Sequence, residues 1–420
     1  MHPREALEWL QQHQFHGIKP GLERISALLE ALGRPQERFP SLHIAGTNGK
    51  GSTAALLQAI LSAHGLRTGL YTSPHLVSVT ERFRIDGREI TLERLADILA
   101  RIRRQVERLR LPITYFEITT AAAFLYFAEE GIDMAVIECG LGGRLDATNV
   151  LKPRVAVITS VALDHMAYLG RSLERIAREK AGILKPGLPV VAGHMPRRAR
   201  EVIRERAFRL QCPAAFWGQD FRVLRSGKRF SYRGNLWHLQ ELELSLEGEF
   251  QKYNLGTALR ALEFLRTEGY VFREDTLRQA LKRVSWPGRF EFLPVGPGVI
   301  LDGAHNEEGT RALLRSLERK GISEYTLIFG ATNEGGEKPY LRMLQKLISR
   351  AKVVFLCEPP GPRNPVTLKE WEARKFPPSW PPLRPSSLPE ALDQALSLPL
   401  PVVITGSLYL VGAARRLLLS

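Results

Sequence analysis

Cysteine is scarce in this sequence: three in 420 residues, Cys139, Cys212 and Cys357, far apart and without metal-ligand spacing. That excludes a disulfide framework or a cysteine zinc site and predicts three small buried residues. No run of about eighteen apolar residues occurs, so no membrane span and no membrane partner are expected. The start, Met1-His2-Pro3-Arg4-Glu5, lacks the apolar core of a signal peptide and points to a cytoplasmic protein. Acidic residues are outnumbered, 44 Asp plus Glu against 59 Lys plus Arg, for a net charge of +15 that favours anionic ligands. A basic stripe interleaved with aromatics is also missing. Outside Arg101, Arg103 and Arg104 and the run from Arg197 to Arg209, the arginines scatter, so no nucleic-acid partner is expected.

What is present is a phosphate cradle. Gly46-Thr47-Asn48-Gly49-Lys50-Gly51-Ser52-Thr53 follows the apolar run Leu42 to Ala45 and opens a helical pattern. Glycines let backbone N–H groups turn toward an anion, a helix N-terminus adds partial positive charge, and Lys50 supplies a full one. The first glycine stands closer to the Gly-Lys pair than in the common nucleotide-binding template, and Gly51 replaces the hydroxyl after the lysine, so this is a shortened variant.

The length predicts two or three domains. Strands are expected at Leu42 to Ala45, Thr68 to Thr72, Met134 to Glu138, Val155 to Ser160 and Pro189 to Ala192, alternating with helices. After the cradle, Leu56, Leu57, Ile60 and Leu61 mark one buried helix face that stops at Gly65. A β-rich patch, Phe221 to Leu246, and a helix, Tyr253 to Glu268, follow. Near Trp286 to Pro297 the composition turns to Pro and Gly. The alternation then restarts with Val299 to Leu301, a helix from Glu307, Tyr325 to Phe329, a helix from Pro339, Lys352 to Leu356, Val402 to Thr405 and a last helix. Pro359 to Pro389 reads as a stiff surface connection. The fold class is therefore α/β: an N-terminal phosphate-loop-type parallel sheet domain (1–290) with helices on both faces, plus a smaller C-terminal Rossmann-like α/β domain (291–420).

In such sheets ligands gather where strands end. Met134 to Ile137 lead into Glu138, a carboxylate placed to hold Mg²⁺ near phosphates, and Gly140, Gly142 and Gly143 open the backbone beyond it. Val155 to Val161 runs into Leu163-Asp164-His165, where His165 could complete a metal shell. Leu173, Ile176, Ala177 and Lys180 share one helical stripe, so Lys180 faces apolar neighbours. A buried lysine readily loses its proton and can take up CO₂ as a carbamate, although a snorkelling side chain is the simpler alternative.

Gly46 to Thr53, Thr72 to Leu76, Glu138 to Asn149, Leu163 to His165, Glu179 to Gly182, Trp286 to Arg289 and Asp302 to Asn306 occur in this order. The set resembles the folylpolyglutamate synthase and dihydrofolate synthase family, a branch of the Mur ligases. The resemblance implies an ATP-dependent carboxylate–amine ligase of folate biosynthesis, acting as a cytoplasmic monomer on dihydropteroate, reduced folates and L-glutamate. By the same resemblance Gly46, Thr47, Asn48, Gly49, Lys50, Gly51 and Ser52, with Asn254, Arg289, Asp302 and His305, contact ATP between the domains. Ser73, Glu138, His165 and Lys180, the last as a carbamate, would hold Mg²⁺, with two ions and a possible monovalent cation. Lys50, Glu138, His165 and Lys180 are the implied catalytic groups. Ile18, Lys19 and Pro20, Thr114, Tyr115, Phe116 and Glu117, and Leu145, Asp146 and Ala147 would hold the pterin. The Leu145-Asp146-Ala147 wording resembles the bifunctional bacterial form.

Overall fold

The structure is a computed structural model that describes residues 2–16, 19–333, 339–361 and 364–419. Its contacts separate two compact units. The first comprises residues up to Ala162, Arg171–Ser245 and Lys252–Val284; the second comprises Leu163–Gly170, Leu246–Gln251 and the chain from Ser285 onward.

The first unit is built on an eight-stranded sheet whose strands are β1 (Ser41–Ala45), β2 (Thr68–Tyr71), β3 (Phe83–Ile85), β4 (Arg88–Glu89), β5 (Met134–Glu138), β6 (Val155–Ile158), β7 (Val190–Ala192) and β8 (Ala214–Phe216). Their order is β4-β3-β2-β5-β1-β6-β7-β8, parallel from β2 onward with an antiparallel hairpin, β3–β4, at one edge. Every residue of β1 and β5 is buried, and successive side chains of a strand point to opposite faces, so both faces of the sheet centre are covered. One cover is the core formed by Leu28, Leu99, Phe124, Phe127 and Ile137, to which the helices Glu23–Ala31, Leu92–Leu109 and Tyr115–Glu129 contribute.

The helix Lys50–Ala63 ends as its pattern predicts, with Gly65 in the left-handed region at φ 84°. It differs from the expected one-faced helix. Ser52, Thr53, Ala54, Ala55 and Gln58 are buried along with Leu56, Leu57, Ile60 and Leu61, so the helix is enclosed nearly all round. The β-rich patch folds as a separate antiparallel sheet of β9 (Arg222–Ser226), β10 (Arg229–Arg233) and β11 (His238–Glu243).

The second unit carries a six-stranded sheet of β12 (Glu291–Leu293), β13 (Val299–Leu301), β14 (Tyr325–Phe329), β15 (Ala351–Leu356), β16 (Leu383–Pro385) and β17 (Val402–Thr405). The order is β12-β13-β17-β14-β15-β16, parallel apart from β12. Here the proline-dense segment departs from expectation. It is no mere surface connection: it supplies the edge strand β16 and the helix Leu368–Glu372, whose Trp371 is 1 % exposed within the core. Proline tolerates an edge because no ladder N–H is required on the open side. Phe376 stacks on Trp371 and Trp380 on Phe376, which anchors the prolines by aromatic burial. Of the cysteines, Cys139 and Cys357 are buried whereas Cys212 is half-buried. No described helix is long and apolar enough to cross a membrane.

Candidate active site

The centre of the first unit's site lies at the C-terminal ends of three neighbouring strands. β1 runs into Gly46, and a Cβ there would stand 1.9 Å from Thr159 Oγ1. The loop is braced from the end of β6. Thr47 N–H donates to Ser160 O (3.0 Å), Asn48 N–H donates to Ser160 Oγ (2.9 Å), and Thr159 Oγ1 donates to Asn48 O (2.7 Å). Gly49 takes φ 84°, and a side chain there would meet Asn254 Oδ1 at 2.2 Å, so Asn254 lies directly against the loop. Lys50 then starts the helix whose first-turn N–H groups have no intrahelical acceptor. Its ammonium donates to Gly46 O (3.0 Å) and Thr47 O (3.2 Å), which aims it back over the loop.

Glu138 stands beside it because β5 pairs with β1 in a register that sets Ile44 against Glu138. The carboxylate is 5 % exposed, lies 3.9 Å from Lys50 Nζ and accepts the Ser73 N–H at 3.1 Å. Ser73 reaches it from the loop after β2, which Glu81 shapes by accepting the N–H groups of Leu76, Val77 and Ser78. Lys180 is buried on the helix Leu173–Ala181. The end of that helix packs on the loop after Glu138: Arg144 N–H donates to Glu179 O (2.8 Å), and a Cβ on Gly143 would meet Lys180 O at 2.9 Å. Burial, with the Asp146 charge, pushes the Cys139 thiol beside Glu138 well above its ordinary range.

The residues expected around a pterin also converge. Ile18 lies outside the described residues. Lys19 and Pro20 are exposed, and Arg24, which no motif signalled, ties them in: its Nη2 donates to Lys19 O (2.5 Å) and its Nε to Glu117 Oε1 (3.0 Å). Glu117 closes a capping box with Thr114, Arg82 lies 5.3 Å from the Tyr115 ring centre, and a Cβ on Gly140 would stand 2.5 Å from Phe116 Cζ. Asp146 is buried and accepts the N–H groups of Leu141 (2.8 Å) and Thr148 (3.0 Å); Ala147 is buried and Leu145 half-buried.

In the second unit, Asp302 follows β13 and accepts the N–H groups of Phe290 and Ala304, each at 2.9 Å. Arg289 lies close by, since a Cβ on Gly303 would meet its Nη1 at 2.4 Å. His305 Nδ1 lies 2.8 Å from Gly303 O, and its Nε2 is 3.5 Å from Asp164. Asp164 accepts the His165 N–H (2.9 Å) and an Asn306 Nδ2–H (3.0 Å), so it joins His165 to the Asp302–Asn306 turn. The sequence offered only adjacency as a signal for Asp164.

Burial raises the Asp302 carboxyl from 3.8 to about 6, opposed by the Arg289 charge and the two N–H bonds. The folded chain therefore holds this proton more tightly than the unfolded one. Its contribution to stability is complete below about pH 4 and is lost as pH rises through about 6. In Asp302→Asn, this fall in the second unit's thermal midpoint should disappear; an unchanged pH profile would show that burial does not govern the carboxyl.

Two family profiles cover most of the chain: "Mur ligase middle domain" over residues 44–262 and "Mur ligase, glutamate ligase domain" over residues 288–406. The dihydrofolate synthase/folylpolyglutamate synthase of Bacillus subtilis (strain 168) is 34 % identical over 428 residues, covering 98 % of each chain. The chain belongs to the folylpolyglutamate synthase and dihydrofolate synthase family. In structure, the folylpolyglutamate synthase of Mycobacterium tuberculosis, solved with ADP and AMPPCP, matches with a TM-score of 0.89 and 32 % identity over 99 % of both chains. A folylpolyglutamate synthase solved with AMPPCP and folate matches with a TM-score of 0.87 and 33 % identity over 100 % of both. Both matches extend over essentially the whole length of the chain.

Proposed function

We propose that the chain is an ATP-dependent amide ligase that adds L-glutamate to dihydropteroate, giving dihydrofolate, and to tetrahydrofolate polyglutamates. The observation that carries this reading is the meeting of the Lys50 cradle and the Glu138 carboxylate at the ends of adjacent parallel strands. In the reaction, a carboxylate oxygen of the substrate attacks the γ-phosphorus of ATP and ADP leaves. The amine of glutamate then attacks the acyl carbon, loses a proton and displaces phosphate. No protein nucleophile is required. The chain's task is to hold the phosphates on the loop N–H groups, to place Lys50 against the developing charge and to keep water from the acyl phosphate.

The donors fit magnesium. Glu138 and the Ser73 hydroxyl are hard oxygen ligands, which suits an ion that takes one or two carboxylates and completes its shell with phosphate and water. Ser73, Glu138, His165 and Lys180 as a carbamate would hold two Mg²⁺ ions, whose chemistry is to neutralise and align the phosphate oxygens. Asn254, Arg289, Asp302 and His305 are assigned to the nucleotide, and a monovalent cation belongs to the same reading. We place the enzyme in the cytoplasm as a monomer, with domains at 1–290 and 291–420.

The deciding assay supplies dihydropteroate and, separately, a reduced folate, each with glutamate and Mg-ATP. Phosphate release with both substrates is expected; release with the folate alone would restrict the enzyme to polyglutamylation, and release only with UDP-linked muramyl substrates would make it a cell-wall ligase. Intact mass should show one CO₂ on Lys180. Unmodified lysine, with activity indifferent to bicarbonate and to Lys180→Ala, would remove the carbamate. Gly49→Ala forces a side chain into the left-handed region, which costs about 1–2 kcal/mol, and against Asn254 as well, so AMPPCP affinity should fall at least about tenfold by calorimetry. Unaltered affinity would show that the loop does not meet the nucleotide in this conformation.

A further inference from the structure

An imidazole is an unexpected side chain in the middle of β1. Leu42, Ile44 and Ala45 are apolar and buried, the strand is paired on both sides, and His43 itself is 0 % exposed. Burying a polar ring is unfavourable without hydrogen-bond partners, so the partners His43 takes are informative. Its Nε2 lies 2.7 Å from Thr148 Oγ1 and 3.1 Å from Cys139 Sγ, while its Nδ1 is buried with no partner among the described residues. Burial holds the ring neutral, with its pKa lowered to about 3.

The direction of the hydrogen bonds follows from what each group can do. Thr148 Oγ1 approaches two acceptors, Asp146 Oδ1 at 2.5 Å and Cys139 Sγ at 3.5 Å; its one proton goes to the nearer carboxylate, so toward His43 it can only accept. Nε2 must then carry the hydrogen. A one-way chain results, from imidazole N–H to hydroxyl to carboxylate, and the carboxylate ends on the Leu141 N–H. Leu141 belongs to the turn that follows Glu138, and the preceding Gly140 lies against the Phe116 ring. The chain therefore starts in the strand that leads to the phosphate cradle and ends on the turn whose Gly140 lies against Phe116.

We propose that His43 is a positioning residue for the pterin side of the site, acting through Thr148 and Asp146 on the turn from Gly140 to Ala147. The proposal rests on the pterin assignment made under the proposed function. It differs from a role in stability alone because the turn, not the cradle, receives the bond. Substitution should therefore weaken the use of the pterin substrate while leaving the use of ATP almost unchanged.

Three variants separate these roles. His43→Met keeps the bulk and removes the donor, His43→Gln places an amide N–H near the position of Nε2, and Thr148→Val removes the bridging hydroxyl. His43→Met and Thr148→Val should each raise KM for dihydropteroate about tenfold, leave KM for ATP within about twofold, and combine with no further loss because they cut one chain. His43→Gln should return KM for dihydropteroate to within about threefold of the parent. Hydrogen exchange of the Leu141 amide in the ligand-free protein should quicken at least about tenfold in His43→Met and not in His43→Gln.

Equal shifts in both KM values, a glutamine variant no better than the methionine one, or unchanged Leu141 exchange would each overturn the proposal. Failure of the parent enzyme to ligate glutamate would remove the pterin assignment, and Leu141 exchange would still decide whether His43 holds the turn. Should His43→Met fail to fold, Thr148→Val carries the same comparison.

Discussion

Lys50→Ala is expected to lower kcat/KM for glutamate ligation by about 10³ or more, equivalent to at least about 4 kcal/mol of transition-state stabilisation. The ammonium is the only full positive charge that the cradle sequence itself supplies, and its position is set by the carbonyls of Gly46 and Thr47 beneath it. As γ-phosphoryl transfer proceeds, negative charge grows on oxygens that the loop N–H groups meet only with partial charge. The fold should survive, because the lysine's hydrogen bonds are to its own loop and alanine favours a helix's first turn as well as lysine does. Circular dichroism and the thermal midpoint of the variant test the fold, and single-turnover phosphate release tests the chemistry. Near-normal turnover in a folded variant would remove Lys50 from the mechanism.

The largest loss of stability is expected away from the site, in Glu263→Ala. Glu263 is 0 % exposed on the helix Gln251–Thr267 and accepts the N–H groups of Asn235 (3.2 Å), Leu236 (2.8 Å) and Trp237 (2.8 Å), which form the turn between β10 and β11. It also pairs with Arg260, whose side chain is 7 % exposed. Alanine would strand a buried guanidinium and the turn's N–H groups together. Removing one partner of a buried ion pair costs about 3–5 kcal/mol, so the thermal midpoint should fall by roughly 10 °C. Glu263→Gln, which keeps the shape and one acceptor oxygen, should lose less. A shift of under about 2 °C in the alanine variant would show that the turn and Arg260 find water instead. The protein that remains folded should retain its affinity for AMPPCP, since this cluster binds the three-stranded sheet to its helix and not the cradle to β6.

The parts of the site that were legible in the sequence are those made by neighbours in the chain. The spacing of Gly46, Gly49 and Lys50 between an apolar run and a helical pattern already describes a strand, a turn and a helix, and the structure has β1, the loop and Lys50–Ala63 there. Glu138 was legible because four apolar residues end on a carboxylate. Thr159, Ser160, Arg24 and Asp164 were not. Each is an ordinary polar residue whose meaning lies in a distant partner: Arg24 and Glu117 are 93 residues apart, Ser160 and Asn48 are 112 apart, and Asp164 and Asn306 are 142 apart. The Pro359–Pro389 segment misled for the opposite reason. Its prolines are a strong local signal for exposed chain, and the burial of Trp371 with Phe376 and Trp380 against it outweighs that signal.

Sequence alone determined the alternation of strands and helices, the cradle and the order of motifs, because backbone freedom at glycine, apolar periodicity and charge act over a few residues. Which strands became neighbours was a matter for tertiary structure. The order β2-β5-β1-β6 brings Ser73, Glu138, Lys50 and Ser160 together at the C-terminal ends of four neighbouring strands. Strand pairing joins segments far apart in the chain through backbone groups that are the same in every residue, so side-chain identity carries little of that information. It is decided when the apolar faces of the whole unit are buried together.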